Sequence, residues 1–192
     1  MKGITLIFIF ISTFSAFASN WVFDVGAGVG KGTFSHTSFN QDISVMQYQV
    51  SSSALYRAWG PLFAGAETRF EKINQMTDYA QAGSNIRGSM WSPISPVLLI
   101  SISKLALRFS YQFFGDYKLS NKNVDDDEIT WKKAKGLRFS LVLVDILPFG
   151  TYEFYFQKRK FKEQQLGESE VTSEFLVEPE LTTFGVEYKI IF

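Results

Sequence analysis

The chain has 192 residues, with 19 basic and 19 acidic side chains, one histidine and no cysteine. The balanced charge excludes a general electrostatic pull toward nucleic acid, and the missing cysteine excludes disulfides and thiol chemistry. Aromatic residues make up 17% of the chain, including 20 phenylalanines, which fits a protein held together by its sheet.

The first segment reads as an export leader. Met1-Lys2 is a positive start, Ile4 to Phe14 is almost uninterrupted apolar sequence, and Ala16-Phe17-Ala18 is an A-x-A site. This order predicts a secretory signal peptide over residues 1–18, because the apolar run is too short to span a bilayer as a helix. Residues 19–192 then carry 18 basic and 19 acidic side chains, with no linker and no internal repeat, and are expected to form one domain. No later stretch is long and apolar enough for a membrane helix.

About eight strand-like segments follow, each recognised by its period of two. The first, Trp21 to about Gly30, sets Trp21, Phe23, Val25, Ala27 and Val29 against Asp24, Gly26, Gly28 and Gly30. The second, about Ile43 to Tyr56, carries Met46, Tyr48, Val50, Ala54 and Tyr56 on its apolar face. The third, about Leu62 to Lys72, opposes Ala64, Ala66, Thr68 and Phe70 to Gly65, Glu67, Arg69 and Glu71. The fourth, about Ile86 to Ile102, contains Pro93 and Pro96 and is the least regular. The fifth presents Leu105, Leu107, Phe109, Tyr111 and Phe113, with Arg108, Ser110 and Gln112 between them. The sixth sets Leu137, Phe139, Leu141 and Leu143 against Gly136, Arg138 and Ser140. The seventh sets Tyr152, Phe154 and Phe156 against Glu153, Tyr155, Gln157 and Arg159. In the eighth, Phe184, Val186, Tyr188, Ile190 and Phe192 alternate with Gly185, Glu187 and Lys189.

Connection lengths alternate as well. Tight connections at Arg57–Pro61, Ser103–Lys104 and Asp145–Gly150 interleave with longer polar ones at Lys31–Asp42, Ile73–Asn85, Leu119–Glu128 and Lys162–Ser173. Short turns at one end and long loops at the other are the pattern of a transmembrane barrel. The segment Phe184–Phe192, an aromatic-ended strand with apolar residues at every second position, resembles the C-terminal assembly signal of small bacterial outer-membrane β-barrel proteins of the OmpA-barrel and OmpX type. The resemblance implies a closed antiparallel up-and-down barrel in the outer membrane, delivered by the barrel-assembly machinery.

Alternation alone leaves the inward face open, since a soluble barrel such as a lipocalin turns its apolar face inward. Here the polar faces are rich in Gly and Ser, and the apolar faces are crowded with Phe and Tyr. Trp21, Tyr56, Trp59 and Phe192 on the turn side, with Tyr117 and Trp131 on the loop side, read as two interfacial belts. The lumen is then expected to hold Asp24, Glu67, Glu71, Glu153 and Glu187 with Arg69, Arg108, Arg138, Arg159 and Lys189. In an eight-stranded barrel such groups should pair into a plug.

Several chemical-looking motifs lead elsewhere. Gly26-x-Gly28-x-Gly30-x-Gly32 has a spacing of two and no following helix, so it is no phosphate loop. Asp125-Asp126-Asp127-Glu128 lacks the spacing and glycine of an EF-hand. His36-Thr37-Ser38 superficially resembles the His-x-Ser of outer-membrane lipid A deacylases, but it sits in the first loop with no Glu at a convincing spacing. On the outer wall, Lys133, Lys135, Lys158 and Lys160 with Trp131 read either as a lipopolysaccharide phosphate contact or as lysines snorkelling at the interface. The expectation is a monomeric, non-enzymatic envelope structural or surface-interaction protein. Its partners would be outer-membrane lipid, lipopolysaccharide and the assembly machinery, with no cofactor, no metal and no nucleic acid. The alternatives are a lipid A-modifying enzyme and a narrow solute channel.

Overall fold

The computed structural model describes residues 20–35, 42–75, 87–120, 129–147, 150–166, 172–174 and 176–192. The expected signal peptide, His36 and Asp125–Glu128 lie outside them. Twelve strands follow in order: β1 Trp21–Ser35, β2 Ile43–Trp59, β3 Leu62–Gln75, β4 Arg87–Ile102, β5 Leu105–Gln112, β6 Asp116–Ser120, β7 Ile129–Lys132, β8 Lys135–Leu147, β9 Gly150–Lys160, β10 Glu163–Leu166, β11 Thr172–Glu174 and β12 Glu180–Ile191. They trace eight antiparallel paths, because β5–β6, β7–β8, β9–β10 and β11–β12 are each one path with a break.

The sheet runs β4-β3-β2-β1-β12-β9-β8-β5 and closes by pairing β5 back onto β4. The closing seam of the chain is β1 against β12, with Val25 opposite Ile190 and Gly30 opposite Gly185. The Phe192 amide donates to the Phe23 carbonyl at 2.8 Å, so pairing continues to the last residue. We call the end with Trp21, Gly60-Pro61 and Phe192 the turn end and the other the loop end. Gly60, at φ 50°, provides the left-handed residue of the β2–β3 turn.

Strands β1 to β4 run unbroken, whereas the next paths break at Phe113–Gly115, Lys133–Ala134 and Phe161–Lys162. The breaks are stitched to one another and to the next path. Ala134 donates to the Gly115 carbonyl at 3.0 Å, Lys162 to Lys132 at 3.2 Å, and Phe161 to Pro179 at 3.1 Å. Opposite the first break, β4 changes partner: Val97–Ile102 pairs with β5 and Arg87–Trp91 with β6. Pro93 and Pro96 occupy that gap, where no ladder bond from β5 or β6 needs their missing N–H. A register shift against β3 between Glu67 and Arg69 marks the same place.

The polarity of the wall changes along each strand. On β1 the outward residues are apolar from Trp21 to Val29 and polar from Lys31 to Ser35. The inward ones are Asp24 and then Gly26, Gly28, Gly30 and Gly32, ending on the fully buried Phe34. Strand β3 changes outward from Phe70 to Lys72 and inward from Glu71 to Ile73; β9 changes from Phe156 to Lys158 and from Arg159 to Phe161. This inversion explains why β1 extends beyond Gly30, the bound expected from sequence, while β2 runs past Tyr56 to Trp59 by pairing Trp59 with Leu62 at the turn. The side chains keep alternating while the hydropathy pattern changes sign.

Candidate functional site: a sealed lumen and a basic outer rim

Inside the barrel the residues form three layers. At the turn end Leu55, Phe63 and Val97 pack together, with Val22 and Leu99 against them. The middle layer is charged, and all ten expected lumen residues lie in it, each at most 4% exposed. At the loop end Phe34, Val45, Ile73, Met90, Tyr117, Trp131, Phe161 and Leu181 form an apolar layer.

The charged layer is a network across the lumen. Asp24 on β1 meets Arg108 on β5 at 2.9 Å and Lys189 on β12 at 2.9 Å. Arg138 on β8 meets Glu153 on β9 and Glu187 on β12, both at 2.7 Å, and donates to Gln49 on β2 at 3.1 Å. Glu67 pairs with Arg69 and Arg108, and Glu71 with Arg159. Ser140 and Gln47 add hydrogen bonds to Glu153 at 2.7 Å and Glu71 at 2.9 Å. With five acids and five bases the layer is neutral, which lets so many charges share a buried interior.

Small residues make the room. Gly30 and Gly185 face each other across β1 and β12, and Tyr155 lies over the pair; a Cβ on Gly30 would strike its hydroxyl. The Tyr155 ring in turn carries the Arg138 guanidinium, 3.9 Å from its centroid. The alternating glycines of β1 are therefore a cradle for side chains from the neighbouring β12 and β9, Glu187 and Thr183 from the first and Tyr155 from the second.

Outside, the apolar belt is bounded at the turn end by Trp21, Tyr56 and Trp59; Trp21 and Tyr56 meet edge-on at 5.1 Å, and Trp59 is 81% exposed. Tyr117 and Trp131, expected at the loop-side belt, instead point inward. Their rings sit 5.8 and 5.4 Å from that of Phe34. The cause for Trp131 is local. Lys133 takes a left-handed φ of 55° in the break, so Trp131, Ala134 and Gly136 all face inward and the alternation slips by one residue. Tyr117 follows from the break at Phe113–Gly115. Trp91, 62% exposed, and Phe114, 68% exposed, hold the place the two were expected to hold.

The four lysines of the expected phosphate contact are all exposed, but the set is altered by this slip. Trp131 is not beside them. Lys133 pairs with Glu163, which raises its pKa through the hydrogen bond and the opposite charge, and Lys158 pairs with Glu180 at 2.7 Å. Lys135 and Lys160 face each other directly across β8 and β9. Lys31, Lys72 and Lys118 continue the basic rim around the barrel at the height where the wall polarity inverts. Sequence reasoning missed these three as a set. Each stands alone in its own segment; the register sets Lys72 and Lys118 on one row through Ser89, and Lys31 is the first outward polar residue of β1.

No protein-family model matches the chain, and no curated protein matches its sequence. Solved structures do match its shape. Neisserial surface protein A aligns with a TM-score of 0.51 at 13% identity, over 88% of this chain and 97% of that one. Ail, the attachment invasion locus protein of Yersinia pestis, aligns with a TM-score of 0.50 at 9% identity, over 89% and 99%. The chain thus shares the closed eight-stranded antiparallel barrel of these proteins, and the likeness is one of fold.

Proposed function

We propose that this chain is a bacterial outer-membrane protein that spans the membrane with its charge-filled layer, stands above it on its apolar-filled loop end, and serves a non-enzymatic envelope or surface-interaction role. The polarity inversion at one height carries this reading. Below it the wall is apolar outside and polar inside, as lipid demands; above it the arrangement is that of a barrel in water. The outward apolar run of β1, Trp21–Val29, covers nine residues. At ~3.3 Å per residue and a tilt of ~40°, that is roughly 23 Å of height, close to the apolar band of such barrels. The names of the two fold neighbours, a surface protein and an attachment invasion locus protein, support a role at the cell surface.

The lumen supports a closed barrel over a channel, because paired charges fill its middle and apolar layers cover them at both ends. The test is expression in a Gram-negative host, followed by membrane fractionation and protease treatment of intact cells with a tag inserted between β3 and β4. Recovery in the outer membrane with a tag cleaved from outside is expected. Recovery in the periplasm, or a tag cleaved only after lysis, would overturn the reading.

A further inference from the structure

Where β4 changes partner, the outer wall opens into a cleft of about 540 Å³. It lies at the height of the inversion, with Lys118 and Lys133 in its lining, and two cross-strand rows cross it, the upper one continuing past the lining to Lys72. The upper row is Lys72, Ser89 and Lys118 on β3, β4 and β6; the row below is Phe70, Trp91 and Asp116. Phe114 projects from the β5–β6 break beside them.

Three features of this patch point to one kind of occupant. Lys72 and Lys118 are exposed and form no ion pair among the described residues, unlike Lys133, which also lines the cleft and is paired with Glu163. Two strand spacings, about 10 Å, separate the two lysines, enough for one headgroup to meet both. Trp91 is held in place: its Nε1 donates to Thr68 Oγ1 at 3.3 Å, and that hydroxyl donates to the Ser92 carbonyl at 3.2 Å. A fixed indole face beside a serine hydroxyl and a carboxylate suits a sugar ring, with Asp116 accepting from sugar hydroxyls. Phe70 and Phe114 continue downward as an apolar shelf for acyl chains.

We propose that this cleft binds a phosphorylated glycolipid of the outer leaflet. Its phosphates would meet Lys72 and Lys118, its sugar Trp91 and Asp116, and its chains Phe70 and Phe114. The proposal rests on the outer-membrane reading and moves the expected phosphate contact from the β8–β9 lysines to the β3–β4–β6 part of the rim. A simple anionic phospholipid would use the lysines but leave the indole and carboxylate without a role.

The experiment uses full-length protein folded in detergent micelles, with folding checked by heat-modifiable migration. Purified bisphosphorylated lipid A is titrated in, and bound lipid is counted by native mass spectrometry. Lys72→Gln with Lys118→Gln should weaken binding by at least roughly tenfold, the scale of one lost charge-assisted hydrogen bond, while Lys135→Gln with Lys160→Gln stays within about twofold. Trp91→Ala should lower lipid A binding without changing that of phosphatidylglycerol. Equal loss in the two lysine pairs, no loss in the first, or phosphatidylglycerol binding as tightly as lipid A would each overturn the assignment. Because every sample is folded in micelles, this result is independent of where the protein fractionates in cells.

Discussion

Among single residues, Arg138 has the most exacting surroundings. It meets two carboxylates and an amide and rests on the Tyr155 ring, with 2% of its surface exposed. Arg138→Ala removes the partner that Glu153 and Glu187 share at 2.7 Å and leaves the two buried carboxylates to divide Lys189, 3.3 Å from each, a loss on the order of 3–5 kcal/mol. Urea unfolding from lipid vesicles should show it as a lower midpoint; an unchanged midpoint would mean that the charged layer does not contribute as a network. The four tryptophans offer a second residue-level check. In single-tryptophan variants, lipid-borne bromine should quench Trp21, Trp59 and Trp91 and leave Trp131 bright. Quenching of Trp131 would put it back on the outer belt.

The lumen charges were legible in the sequence because each sits on a strand whose alternation is unbroken, as with Glu67, Arg69 and Glu71 on β3. Trp131 was not, because a single left-handed residue two positions later changes its facing, and nothing about Lys133 signals a positive φ. The loop-end apolar layer was hidden for a different reason. Phe34 follows a run of inward glycines and Phe161 follows the inward Gln157 and Arg159, so a reading that assigns one character to each face cannot find them.

Among elements, β12 has two tasks: it supplies Glu187 and Lys189 to the interior, and it closes the sheet against β1. Deleting Phe192 removes the last backbone pair, Phe192 with Phe23. We expect less folded protein in the membrane, read as a weaker fast-migrating band on unboiled gels. Wild-type amounts would show that the terminal residue is dispensable for assembly. Gly185→Val should be more severe, since its side chain would enter the space of Tyr155 and the β1 backbone. Its folded band should be lost even when Phe192 is intact, and a normal yield would refute the cradle.

For the whole molecule, the filled lumen predicts no steady ion conductance in planar bilayers. Defined conductance steps in the wild type would argue for a channel. A barrel that opens only after Arg138→Ala would show the charged layer to be the seal.

The wiring of that layer has one more consequence. The counterpart of Glu71 on β3 is Arg159 on β9, and those of Asp24 on β1 are Arg108 on β5 and Lys189 on β12. Neither site can drift alone, because a change of sign at one leaves a bare charge at a position 88 residues away in the case of Glu71 and Arg159. In an aligned set of natural variants, these positions should therefore change in step or not at all, while the loop sequences between them diverge freely. A reversed pair, Glu71→Arg with Arg159→Glu, should rescue folding that either reversal alone destroys.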